Sequence, residues 1–168
     1  TFATTGTCTI RASQAGNANY NAAADVDVSF DIDPADQTIN FTSPGDQNFA
    51  SGGVTVSATG GASGNAVTFA SQTGSVCTTG GTNGEDVTFV TAGTCTIRAS
   101  QAGNSNYNAA SDVDVSFDID AASQTINFTS PGDQNFADGS VTVSATGGAS
   151  GNAVTFASQT TGVCTTGG

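Results

Sequence analysis

Gln37-Thr38-Ile39-Asn40-Phe41-Thr42 alternates polar and apolar residues, then closes on Ser43-Pro44-Gly45-Asp46, a turn with proline at its second position. Period two is the mark of a half-buried strand, so Ile39 and Phe41 should face inward and Asn40 outward. The same ten residues return as Gln124 to Asp133, 87 positions later. At that offset Cys8 to Asn17 returns as Cys95 to Asn104, and Cys77 returns as Cys164. Aligning 1–81 with 88–168 needs no gap and leaves ten mismatches, such as Ala3/Val90, Pro34/Ala121, Asp36/Ser123 and Ser51/Asp138.

The repeat sets the expected domains. Residues 1–36 are the C-terminal part of one repeat, 37–123 a complete repeat, and 124–168 the N-terminal part of a third. Two periods of 87 exceed the 168-residue chain by six, the equivalents of Thr82 to Val87. The expectation is an excerpt from a longer array. The alternative is a subunit whose split domain is completed by a neighbour.

Within the complete repeat the pattern predicts strands at 37–42, Val54-Thr55-Val56-Ser57-Ala58-Thr59, Val67-Thr68-Phe69-Ala70-Ser71 and Val76-Cys77-Thr78-Thr79. Three more follow at Val87-Thr88-Phe89-Val90, 94–99 and 112–120, and no helical apolar period occurs. Seven short strands per 87-residue repeat predict an all-β fold of tandem immunoglobulin-like antiparallel β-sandwiches. Phe41, Phe49, Val56, Phe69, Phe89, Ile97, Val115 and Phe117 are the expected core.

Composition narrows the chemistry. Net charge is −12, and Arg11 and Arg98 are the only cations. Phosphate binding needs clustered Lys and Arg, so nucleic acid and anionic membranes are disfavoured partners. Without His the usual general base is missing. Without Lys there is neither Schiff-base chemistry nor a Lys–Asn isopeptide cross-link. The reading is therefore non-enzymatic.

The Gln37 to Phe49 run, Val76-Cys77-Thr78, Gly93-Thr94-Cys95-Thr96-Ile97, and Gln101-Ala102-Gly103-Asn104 with Asn106-Tyr107-Asn108-Ala109-Ala110 resemble bacterial Ig-like tandem repeats of large surface proteins. The resemblance covers the whole chain. It implies a bacterial exported adhesin or matrix protein with modules joined end to end. The Asp-rich last strand departs from the commoner Thr/Gln-rich version.

Two Cys per repeat fit an oxidising compartment. Cys77 and Cys95, 18 residues apart, are expected to form a disulfide adding roughly 3 kcal/mol. By the same period Cys8 and Cys164 pair outside this segment or between copies. Asp25, Asp27, Asp31 and Asp33 share one strand face, as do Asp112, Asp114, Asp118 and Asp120. The plain reading is a solvated face, with Arg98 in a local ion pair. The sharper one is calcium held near the module junctions by Asp31, Asp33, Asp36, Asp118 and Asp120, without any EF-hand motif. No other cofactor is expected. Asn40-Phe41-Thr42 and Asn127-Phe128-Thr129 match the glycosylation pattern at Asn40 and Asn127. Tyr20 and Tyr107 should pack on a sandwich end.

The function expected from these features is a structural spacer of an extracellular or cell-surface protein, with neighbouring repeats of the array as partners. The alternatives are a filament subunit completed by identical copies and a glycan- or protein-binding adhesive module.

Overall fold

The structure is a computed structural model that describes residues 1–167. It divides into two compact units, Thr1–Ala121 and the segment from Ala122 onward. It is all-β, apart from three short 3-10 turns.

The first unit opens with a hairpin of β1 (Gly6–Ala12) and β2 (Val26–Ile32). Its antiparallel register sets Cys8 against Phe30, Ile10 against Val28 and Arg11 against Asp27. Then come β3 (Asn40–Phe41), β4 (Gln47–Asn48), β5 (Gly53–Thr55), β6 (Ala58–Thr59), β7 (Val67–Ser71), β8 (Cys77–Gly80), β9 (Asp86–Phe89), β10 (Gly93–Gln101) and β11 (Val113–Asp120). One sheet runs β4-β11-β10-β7, with β4 parallel to β11 and the other neighbours antiparallel. The other strands form a β5-β9-β8 sheet and a β3-β6 pair.

The core of this unit comes from alternate positions of these strands and of the residues that flank them. Ile39, Phe41, Val56, Phe69, Val87, Phe89, Ile97, Phe117 and Ile119 are buried in one cluster with Cys77 and Cys95. Burying each large side chain contributes about 1.5–3 kcal/mol. The Phe41 and Phe69 rings pack at 5.2 Å.

Three expectations need correction. Phe49 is exposed, not core. Asn48 accepts a hydrogen bond from the Ala50 N–H and starts a 3-10 turn over Phe49–Ser51, which rotates the ring away from the interior. Val115 is only partly buried, against the edge of the cluster. The strand expected over 54–59 is two strands, because the chain changes partners: β5 pairs with β9, and β6 pairs with β3. Between them the Val56 N–H bonds the Glu85 carbonyl at 2.9 Å.

The second unit repeats the start of this design. β12 (Asn127–Phe128) pairs with β13 (Ala145–Thr146), and Phe128 meets Phe156 at 5.4 Å. No other strand forms there among the described residues.

Candidate functional site

A set of long-range polar contacts lies where the linker after β2 meets the next repeat. The Ala35 N–H donates to the Asn106 carbonyl and the Asn108 N–H donates back to the Ala35 carbonyl, both at 2.9 Å. Ala35 and Tyr107 thereby form an isolated parallel bridge. The Asn108 Nδ2 amide donates to Asp36 Oδ1 at 2.8 Å. Asn106 Oδ1 accepts from Thr4 Oγ1 and the Thr5 N–H, and Thr5 Oγ1 donates to the Ser105 carbonyl. The loop itself is preshaped, since Asn104 Oδ1 accepts from the N–H groups of Asn106 and Tyr107. Tyr107 is half-buried here, while Tyr20, at the equivalent place in the first hairpin, is exposed.

Two buried amides tie this loop to its neighbours. Gln37 Nε2 donates to the Ala102 carbonyl, and its Oε1 accepts from the Ser63 N–H. Gln101 Oε1 accepts from the Gly61 N–H at 2.7 Å, and its Nε2 donates to the Asn65 carbonyl at 2.7 Å. A Cβ on Gly61 would strike the Gln37 side chain, so glycine is required there. Sequence reasoning missed both glutamines, because a lone Gln carries no burial signal. The only hint was the Gly60-Gly61 pair, which lets backbone approach side chain.

The expected disulfide is present. Cys77 on β8 and Cys95 on β10 are bonded with Cα atoms 5.8 Å apart, so the bridge staples the two sheets. A disulfide fits a non-reducing compartment. No helix among the described residues is long and apolar enough to cross a membrane. Cys8, partly buried on β1, and Cys164, exposed in the second unit, are unbridged.

The acidic strand faces carry local partners. Arg98 makes a two-pronged pair with Asp114, both contacts at 2.8 Å, with Asp112 at 3.8 Å. Arg11 repeats this with Asp27 and Asp25. Hydrogen bonding to Arg98 holds the Asp114 carboxyl below its ordinary range, and Arg11 does the same to Asp27. Asp31 accepts from Thr7 Oγ1, and Asp118 from Thr94 Oγ1, each at 2.7 Å. A row of Thr and Arg across each ladder therefore relieves the carboxylate repulsion.

Calcium takes six to eight oxygens. Asp31, Asp33, Asp36, Asp118 and Asp120 are all exposed, and among the described residues no group of three acidic, Cys or His side chains is gathered for a metal. Asn40 and Asn127 are exposed on β3 and β12. Asn40 borders a shallow groove of about 590 Å³ whose lining, including Thr42, Thr55 and Ser57, carries no charge.

No family model matches the chain, and neither a curated protein nor a solved structure shows significant similarity to it.

Proposed function

We propose that this chain is a non-catalytic spacer segment of an extracellular repeat protein, in which immunoglobulin-like modules follow one another with little freedom at their joints. The module reading is supported by two facing sheets, a parallel β4 on the last strand β11, and an inter-sheet disulfide. The observation that carries the spacer role is the clamp on Ala35. The linker between repeats bonds through its own backbone to the 104–108 loop of the next module. A joint held by backbone and side-chain hydrogen bonds transmits orientation, whereas a Gly/Ser linker acts as a random coil. The exported location is supported by the disulfide and by a surface nearly free of cleavable Lys and Arg.

Backbone order parameters from ¹⁵N relaxation test this reading. The amides of Ala35 and Asn108 should show values near 0.85, like those of β10. Asn108→Ala, which removes the side-chain bond to Asp36 beside Ala35, should loosen Ala35 without moving the unfolding midpoint of the module. Values below about 0.6 for Ala35 in the unaltered chain would mean a hinge and would sink the spacer reading.

A further inference from the structure

Asn83-Gly84 is the one Asn–Gly pair in the sequence. Glycine carries no Cβ to shield its backbone nitrogen, so that nitrogen can reach the amide carbon, Cγ, of an asparagine before it. The pair sits in the turn over Thr82–Gly84 that joins β8 to β9. Asn83 is open to water, with φ 59° and ψ 10°. Among the described residues it is the single non-glycine with a positive φ. Asparagine tolerates that left-handed region where most residues do not. Closing a five-membered ring onto Gly84 requires Asn83 Cβ and the Gly84 nitrogen to come nearly into eclipse about the Cα–C bond. At ψ 10° the backbone nitrogen of Asn83 takes that eclipsed place, and Cβ is turned well away from it. The folded turn therefore holds the reacting atoms out of line.

The turn cannot rotate alone. Gly84 lies against β7 so closely that an added Cβ would overlap the Phe69 carbonyl oxygen. The Glu85 N–H donates to the Thr82 carbonyl at 3.3 Å, and the Glu85 carbonyl accepts from the Val56 N–H at 2.9 Å. Swinging ψ of Asn83 would displace Gly84 from β7 and draw Glu85 off Val56, whose side chain is core. The Cys77–Cys95 bond closes a ring around the turn, so a pull on residues outside 77–95 does not load it while the bridge holds. We propose that Asn83 is a conformation-gated deamidation site: it keeps its amide while the turn is seated on β7, and becomes aspartate or isoaspartate once the turn opens. The site records opening of the module, and it does so whether or not the module serves as a spacer.

The chemistry needs only water and hydroxide. Hydroxide takes the Gly84 N–H proton and becomes water. The nitrogen attacks Asn83 Cγ, an N–Cγ bond forms, and the Cγ–Nδ2 bond breaks. Nδ2 takes a proton from water and leaves as ammonia, which regenerates the hydroxide. Water then opens the ring. Attack at Cγ breaks the new N–Cγ bond and leaves aspartate. Attack at the main-chain carbonyl carbon of Asn83 breaks its bond to the Gly84 nitrogen and leaves isoaspartate. The net exchange is one water in and one ammonia out. Either product sets a new carboxylate beside Glu85 and Asp86, while both arginines are engaged elsewhere, Arg11 with Asp27 and Arg98 with Asp114. Isoaspartate also adds a methylene to the main chain of a turn that has no room towards β7. Reseating is opposed, so the mark runs one way.

The test holds the full-length, disulfide-intact chain at mildly alkaline pH in buffer and in urea. Peptide mass mapping then reads which asparagine has exchanged its amide for a carboxyl. In urea Asn83 should convert ahead of every other asparagine. In buffer it should convert at least about tenfold more slowly than in urea, because the rate follows the population of the open turn. The isoaspartate form, separated from the unmodified chain, should unfold at a lower urea midpoint. Equal rates in buffer and urea, faster conversion of another asparagine in urea, or an isoaspartate form with an unchanged midpoint would each overturn the proposal. A cooperative urea transition in the same buffer, followed by tyrosine fluorescence, shows that a folded module is present when the rates are compared. Its absence would remove the modular reading itself, so the two failures are separable.

Discussion

Val67-Thr68-Phe69-Ala70-Ser71 and the identical Val154-Thr155-Phe156-Ala157-Ser158 do not fold alike. The first is β7, and the second is not a strand. β7 owes its form to β10, along which it pairs from Ile97↔Ser71 to Gln101↔Val67, and the second unit has no counterpart of β10. Cys77–Gly80 and residues 164–167 differ in the same way. By contrast β3–β6 and β12–β13 form in both units, because both partners lie inside each segment. Identical residues thus give a strand only where a neighbour satisfies their backbone. β propensity is largely a statement about context.

Substitution at paired positions sharpens the contrast most. Ile97→Ala should cost about 2–5 kcal/mol of module stability by leaving a cavity in the core. Ile10→Ala should change it by less than about 0.5 kcal/mol in dilute, reduced protein, since that side chain is open to solvent. Urea unfolding followed by fluorescence of Tyr107 reads both, and equal effects would mean that β1–β2 is already covered.

The cysteines give the next contrast. Removing the bridge with Cys77→Ser and Cys95→Ser should cost roughly 3 kcal/mol, a fall of more than about 10 °C in melting temperature. The pair Cys8→Ser and Cys164→Ser should leave the melt of the 37–121 module where it was. A smaller difference is expected between Gln101→Leu and Gln14→Leu. The first leaves the Gly61 N–H and Asn65 carbonyl without their amide partner and should cost about 1–3 kcal/mol. The second alters an exposed side chain and should be near neutral.

The smallest effect is one on which the two hairpins should agree. Asp114 and Asp27 both titrate low because of their arginines. A depressed folded value means stabilisation that is full above the unfolded carboxylate range, about pH 4, and is lost as pH falls through the folded value. Arg98→Gln and Arg11→Gln should each return the partner's titration to about 3.9, read by carboxyl-carbon NMR. Both pairs are solvent-exposed, so the effect on stability should be slight.

Much of the fold was legible because alternation was clean. Ile39, Phe41, Val56, Phe69, Phe89, Ile97 and Phe117 stand inward where period two placed them. The bridge followed from two cysteines per repeat, and the ion pair from the face Arg98 shares with the aspartates. What escaped had no local signature. β4 is two polar residues, Gln47 and Asn48, recruited by the end of β11. Phe49 looked like core because apolarity alone does not report a 3-10 turn. Of the candidate site, the linker was legible as a linker, but its clamp was not: Ala35 and Asn106 meet across 71 positions of sequence.

The Cys77–Cys95 bond also bears on how a repetitive chain avoids oxidising wrongly. Each sulfur has chemically identical rivals: Cys77 stands 18 residues from Cys95 but 69 from Cys8, and Cys95 stands 69 from Cys164. Loop-closure entropy favours the shorter ring by roughly 1 kcal/mol, about five- to tenfold in encounter. Pairing fidelity is therefore written into the spacing of the cysteines, before any sheet has formed to enforce it.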